Sequence, residues 1–331
     1  MPVSLVTGGA GFIGSHVADE LLAMGHRVVV LDDLSGGARD NVPVGAEFVE
    51  ASVTDDAQID ALFQSQRFDY VYHLAAYAAE GLSHFIRRFN YTNNVIGSVT
   101  LINAAINAGT VKRFVFTSSI AVYGPGQLPM TEALTPTPVD PYGIAKYTVE
   151  QDLRAARELF GLEYTIFRPH NVYGERQNIG DRYRNVIGIF MNQIMRGEPL
   201  TIFGDGEQTR AFTHVADVAP AIARSVERDV ARDALFNIGA DEPHSVNALV
   251  AAVGKAMGAV PEVTHLAQRH EVVHAYSDHA SVRAAFGDLL HDVTLEDGLA
   301  RMAAWARGHG ATETPRFTAI EVARNLPPSW R

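Results

Sequence analysis

The 331-residue chain contains no cysteine. That absence removes disulfides, thiolate metal sites, iron–sulfur clusters and any thiol nucleophile. Long apolar runs are missing too: nowhere do about 18 apolar residues follow one another, so no segment reads as a membrane span. Basic residues come in pairs such as Arg87-Arg88 and Lys112-Arg113 rather than in runs, and 27 Lys and Arg face 38 Asp and Glu for a net charge of −11. Nucleic acid is a poor partner for that balance. The opening residues, MPVSLVTGGAGFIGSH, lack a basic leader and run straight into a glycine-rich turn, which predicts a soluble, cytoplasmic protein.

Hydrophobic residues make up 47% and charged residues 20%, the proportions of an ordinary folded chain. Short apolar runs alternate with longer helix-period stretches through the first half, the pattern of β-α-β units around a parallel sheet. The expected strands are residues 3–6, 27–31, 46–49, 70–74, 114–116 and 164–167, with helices near 12–24, 56–65, 85–108 and 143–159. Beyond about residue 169 the order loosens into Gly/Asp turns and helices near 185–196, 216–227, 245–257 and 294–306. The reading is two closely packed domains, 1–169 and 170–331, sharing a cleft across a soft boundary that lets segments cross back.

Directly after the first strand stands Thr7-Gly8-Gly9-Ala10-Gly11-Phe12-Ile13-Gly14, a G-x-x-G-x-x-G turn that opens an apolar-periodic helix. Such glycines let the backbone turn sharply and approach a pyrophosphate, while the helix N-terminus offers unpaired N–H donors and a positive dipole. The second strand ends in Leu31-Asp32-Asp33, with Asp32 eighteen residues beyond Gly14. A carboxylate there accepts from ribose hydroxyls and repels a 2′-phosphate, which favours NAD over NADP. The fold class is therefore α/β: a doubly wound parallel sheet of Rossmann type with a smaller α/β substrate-binding domain.

A second constellation is Tyr142-Gly143-Ile144-Ala145-Lys146, preceded by Asp140-Pro141, where proline suits a helix start. Four residues apart on a helix, phenol and ammonium share a face with a rise of about 6 Å. A free phenol with a pKa of ~10 is a poor base at neutral pH, and a neighbouring cation favours the phenolate. Upstream, Phe114-Val115-Phe116 runs into Thr117-Ser118-Ser119. That places hydroxyls at the carboxyl end of a central parallel strand, where open α/β sheets bind ligands.

TGGAGFIGSH, LDD, HLAA, FTSSIAVYG and PYGIAK, in this order and spacing, resemble the extended short-chain dehydrogenase/reductase family over nearly the whole chain. Within it the chain is most similar to nucleotide-sugar epimerases of the UDP-galactose 4-epimerase type. The resemblance implies Tyr142 as general base, Lys146 as the residue that holds the nicotinamide ribose and tunes the tyrosine, and Ser119 as partner of the reacting hydroxyl. It implies NAD bordered by Gly8, Gly11, Phe12, Ile13, Gly14, Asp32, Asp33, Ser52, Val53, Leu74, Ala75, Ala76, Asn94 and Ser118 as well as by Tyr142 and Lys146, with His73 close by. Arg168-Pro169-His170-Asn171-Val172-Tyr173-Gly174 and Gly204-Asp205-Gly206-Glu207-Gln208-Thr209-Arg210 resemble motifs that hold the nucleotide diphosphate. Asn171, Arg210 and Arg269 are thus expected on the substrate, with Glu80 in the loop beside the sugar and Tyr276. Counting from Arg269 puts Tyr276 at the position that decides whether an N-acetyl group fits in such epimerases, and counting from Asp278 puts Ala275 there. After Ser119 stand Ile120-Ala121, where the family's 4,6-dehydratases carry an Asp-Glu pair; two aliphatic side chains supply neither acid nor base for eliminating water. The implied reaction is C4 epimerisation of a UDP-hexose through a 4-keto intermediate, with UDP-glucuronate 4-epimerase, 2-epimerase or dehydratase activity as the alternatives. The implied assembly is a homodimer paired through the helices near 85–108 and 143–159.

One competing motif is His270-Glu271-Val272-Val273-His274, a literal H-E-x-x-H that on a helix would offer two imidazoles to zinc, with Glu271 as base and Glu296 as a third ligand. Its Val-Val pair reads as strand and loop instead, so no metal is expected. A non-catalytic NAD-sensing protein is the other alternative on such a fold, and the presence of Ser119, Tyr142 and Lys146 together argues for catalysis.

Overall fold

The computed structural model describes residues 1–268, 272–313 and 316–330. Its first half forms β1 (Val3–Thr7), α1 (Phe12–Ala23), β2 (Arg27–Asp32), β3 (Glu47–Glu50), α2 (Asp56–Ser65), β4 (Tyr70–His73), α3 (Gly97–Ala108), β5 (Arg113–Thr117), α4 (Pro141–Phe160) and β6 (Tyr164–Pro169). A seventh strand, β7 (Ala234–Ile238), completes an all-parallel sheet in the order β3-β2-β1-β4-β5-β6-β7. The central strands are β-branched and aromatic almost throughout and buried on both faces, as parallel strands covered by helices must be. On one face Leu5, Phe114 and Phe116 pack with Leu101 of α3 and Val149 and Leu153 of α4. On the other, Val6, Val30 and Phe167 pack with Val17 and Leu21 of α1, Ile222 of the helix Ala219–Arg224 and Phe286 of the helix Ala280–Phe286.

Local chemistry sets the helix ends. The Asp55 side chain accepts from the Gln58 N–H at the start of α2, and Asp140 accepts from Gly143 N–H at the start of α4, where Pro141 needs no donor of its own. Gly161 takes φ +75 to end α4. The helix expected near 85–108 is three pieces: Arg87–Tyr91, a π-helical turn over Thr92–Ile96, and α3. Six strands were the expectation and the sheet has seven. β7 was missed because it is a short ALFNI run in the looser half, and its pairing with β6 is a tertiary event that no local period announces.

The remaining core gathers Phe190, Met191, Leu249, Val253, Leu299 and Met302 between the helices Val186–Met195, Val246–Met257 and Leu295–His309. Around it lie short pairings: Val172–Tyr173 with Thr213–His214, Leu200–Phe203 with Val263–Leu266, and Thr209–Ala211 between Pro243–Ser245 and His274–Ala275. No described helix is long and apolar enough to cross a membrane.

Candidate active site

The sheet order reverses between β1 and β4, which opens a crevice at their carboxyl ends. A cavity of about 980 Å³ occupies it and continues under the second half of the chain. The glycine turn lines one end. Gly8 has φ +70, and a Cβ there would lie 2.6 Å from the Ala75 nitrogen, so β1 and the chain after β4 approach as only glycine permits. A Cβ on Gly14 would collide with the Gly8 carbonyl. Beneath them His73 is buried between the Thr7 and Ser98 hydroxyls, 2.8 Å from each. Because Ser98 Oγ donates to the Asn94 carbonyl, it accepts from His73 Nε2–H, and Nδ1 accepts from Thr7. Burial with Lys146 nearby pushes that imidazole down to about 3, so it is neutral scaffolding that does not reach the cavity.

Gly8, Gly11, Phe12, Ile13, Gly14, Asp32, Asp33, Val53, Leu74, Ala75 and Ala76 all line this end. Asp32 accepts from Ala10 N–H at 3.0 Å and Leu34 N–H at 2.9 Å, and burial raises its carboxyl against those bonds. Of the expected cofactor residues, Ser52 and Asn94 stand off the cavity wall, and Ser118 has its hydroxyl engaged elsewhere. Ser52 does not line the cavity, and its hydroxyl pairs with Thr54 Oγ1. Asn94 lies beneath the wall, its amide clamping both backbone groups of Tyr77. Ser118 does line the cavity, but its hydroxyl donates to Glu150 Oε1 at 2.5 Å.

The groups expected to react stand beside the β5 terminus. Tyr142 and Ser119 both line the cavity, and the Ser119 hydroxyl forms a hydrogen bond that pulls the phenol's pKa down. Burial outweighs it and raises the phenol, with Glu80 and Asp140 adding to the rise and Arg184 opposing it. Lys146 was expected to lower the tyrosine. Its Nζ donates to the Thr117 carbonyl at 2.8 Å and lies 5.9 Å from the Tyr142 ring centre. Burial pushes the lysine down to about 7, with Glu150 pulling the other way.

Glu150 was not foreseen. Fully buried, it takes a bidentate grip from Arg168 (Nε to Oε1 2.9 Å, Nη2 to Oε2 2.5 Å) as well as the Ser118 hydroxyl. Arg168 in turn lies 4.6 Å over the Tyr123 ring. The signal was available: Tyr142, Lys146 and Glu150 recur every four residues on one helix face.

Asn171, Arg210 and Glu80 also line the cavity. Asn171 donates to the Ala211 carbonyl at 3.1 Å, and Arg210 donates to the carbonyls of Thr209, Val272 and Val273. Tyr276 does not line the cavity; its carbonyl accepts from Met130 N–H, and buried Ala275 faces the cavity in its place. Of the two candidates only Ala275 lines the cavity. His170 meets His279 with Nε2 atoms 3.0 Å apart, and His279 Nδ1 lies 2.5 Å from Asp241. Arg269, His270 and Glu271 lie outside the described residues. His274 stands in a short strand against Thr209, and Glu296 pairs with Lys255 at 2.7 Å. Among the described residues no His, Asp or Glu group of three could hold a metal ion.

This combination of a glycine turn at the switch point and a Tyr-Lys helix beside the neighbouring strand defines a class. The chain belongs to the NAD dependent epimerase/dehydratase family, which matches residues 4–239. Its cofactor is NAD, and the cradle at Gly8 and Ala75, the start of α1 and the β2 carboxylates fit one. Among relatives, the chain is 36% identical over 306 residues to the UDP-glucose 4-epimerase of Mycolicibacterium smegmatis, covering 90% of this chain and 96% of that one. Its structure is similar to that of UDP-glucose 4-epimerase from Thermotoga maritima with UDP-glucose, with a TM-score of 0.88, 36% identity and coverage of 93% and 99%. The Thermus thermophilus UDP-glucose 4-epimerase complex with NAD is similar at a TM-score of 0.86 and 30% identity, with coverage of 93% and 99%. The chain is a member of the nucleotide-sugar 4-epimerase group of this family.

Proposed function

We propose that the chain interconverts a UDP-hexose and its C4 epimer. The observation that carries this reading is that Tyr142 and Ser119 share one cavity with the glycine turn, while Ile120 and Ala121 after Ser119 offer no further acid or base. NAD, when bound, would supply a reversible hydride acceptor for C4. Ser119 orients the C4 hydroxyl and Tyr142 takes its proton, giving it back after the keto sugar has turned within the cavity. Ionising the phenol works against its burial, so the Ser119 hydrogen bond and the Arg184 charge are the local groups that favour phenolate. Lys146, held at the Thr117 carbonyl, is assigned to the nicotinamide ribose. Asn171 and Arg210 are assigned to the diphosphate, since guanidinium and amide donors suit phosphate oxygens.

A second reading, in which N-acetylhexosamines are also accepted, is favoured by the small Ala275 on the cavity wall. Exposed Ile96 and Ile144, on neighbouring helical segments, support a homodimer through that face. The test incubates purified protein with UDP-glucose, UDP-galactose, UDP-N-acetylglucosamine or UDP-glucuronate, without added NAD, and separates products by anion exchange. Interconversion of one C4 pair supports the reading and a retained cofactor. No conversion of any of the four, with or without added NAD, sinks it.

A further inference from the structure

The segment after the last helix leaves the second half of the chain and crosses to the first. It starts from Asn192, whose amide pairs with both backbone groups of Thr312 at 2.9 and 3.0 Å. Phe317 N–H then donates to the Tyr183 hydroxyl at 3.1 Å, and the Phe317 ring meets Phe89 and Tyr77 at 5.0 and 5.6 Å. Glu321 grips the start of the turn Arg87–Tyr91, accepting from Arg88 N–H at 2.7 Å and Phe89 N–H at 2.8 Å. The segment ends on Trp330, which is only 4% exposed and packs edge-on against Tyr183 and Phe85.

Trp330 reaches the cavity. With Ser329 it lines the same space as Tyr142, and its ring is so close to Gly81 that a Cβ there would lie 3.1 Å from it. Gly81 sits in the turn Glu80–Ser83, whose Ser83 hydroxyl accepts from Tyr142 N–H at 3.3 Å and whose Glu80 charge acts on the phenol. The indole therefore stands one residue from a side chain that faces the base.

We propose that residues 316–330 complete the sugar end of the cavity and that Trp330 is a specificity-determining residue, a claim that rests on the nucleotide-sugar reading of this site. A wall held by one carboxylate and a few aromatic contacts, with a rigid indole at its end, sets the space left for the sugar ring's substituents. The Glu321 grip positions the wall without touching substrate.

Two measurements test it. In the first, Trp330→Ala and Glu321→Ala are assayed with UDP-glucose and UDP-N-acetylglucosamine, and bound NAD per chain is measured alongside. The expected result is a change of at least tenfold in the ratio of kcat/KM values for Trp330→Ala, a smaller change in the same direction for Glu321→Ala, and NAD content as in the parent. Ratios within twofold of the parent overturn the proposal. The second measurement needs neither turnover nor a truncated wall. The chain has two tryptophans, so Trp305→Phe leaves Trp330 as the sole indole. Its emission is expected to shift when UDP-glucose or UDP-N-acetylglucosamine is added, even if neither is epimerised, in which case the reaction assignment fails and the wall stands. An emission that is silent to both UDP-sugars overturns the wall.

Discussion

The two walls of the cavity are built differently. The wall formed by β1, β2, β4 and β5 consists of strand ends in fixed register, backed by buried side chains that lock one another in place: Glu150 with Arg168 and Ser118, His73 with Thr7 and Ser98. The facing wall consists of two- and three-residue strands, loops and the crossing segment, and its side chains hold backbone: Arg210 on three carbonyls, Asn171 on Ala211, Glu321 on two N–H groups. The first arrangement holds the glycine turn and the proposed base in a rigid frame. The second can be re-cut by changing single loops, which is where substrate choice can vary without disturbing the sheet.

The comparison predicts that changes on the rigid wall cost reaction or fold, and changes on the facing wall cost choice of substrate. Tyr142→Phe should lower kcat by roughly 10²–10⁴ while leaving the fold intact, the range for losing a positioned acid-base group; a rate near the parent's would remove Tyr142 from the mechanism. Glu150→Gln leaves Arg168 buried without its counter-charge and should cost about 3–5 kcal/mol, read as a lowered urea midpoint. Gly8→Ala should cost about 1–3 kcal/mol of backbone strain and release NAD, read as bound cofactor per chain after gel filtration. On the facing wall, Ala275→Tyr should leave UDP-glucose turnover within a few-fold and depress that of UDP-N-acetylglucosamine, since the ring would fill the space an acetyl group needs.

The smallest expected effect concerns acid stability. The His214 imidazole 3.3 Å from Glu175 holds that carboxyl down to about 2. A depressed carboxyl contributes stability that is present above its ordinary value of 4.5 and is lost as pH falls through about 2. Glu175→Gln should therefore lower the melting temperature above about pH 4.5, flatten the profile between those two pH values and change little below them.

The same contrast explains what was legible in the sequence. The glycine turn, Asp32 and the Tyr142-Lys146 helix lie within short stretches whose spacing carries their geometry, so their placement could be read directly. The orientation of Lys146 toward Thr117 could not, because it depends on how far burial and a backbone acceptor outcompete a phenol. That Ser52 and Asn94 stand off the cavity wall was hidden for a related reason: their side chains bond Thr54 and Tyr77, which local sequence does not announce. Choosing between Ala275 and Tyr276 required knowing the pairing of His274–Ala275 with Thr209–Arg210, since a one-residue slip swaps the faces. Trp330 carried no local signal at all; its approach to Gly81 spans the length of the chain.

The central claim is that hydrogen leaves C4 and returns to C4 within one cavity, with Tyr142 handling only the hydroxyl proton. UDP-galactose deuterated at C4, converted by the parent protein in ordinary water and examined by mass spectrometry and NMR, tests it directly. The account predicts UDP-glucose that retains deuterium at C4, formed far more slowly by Tyr142→Phe. Deuterium lost to solvent, or product formed at the parent rate by that variant, would contradict it.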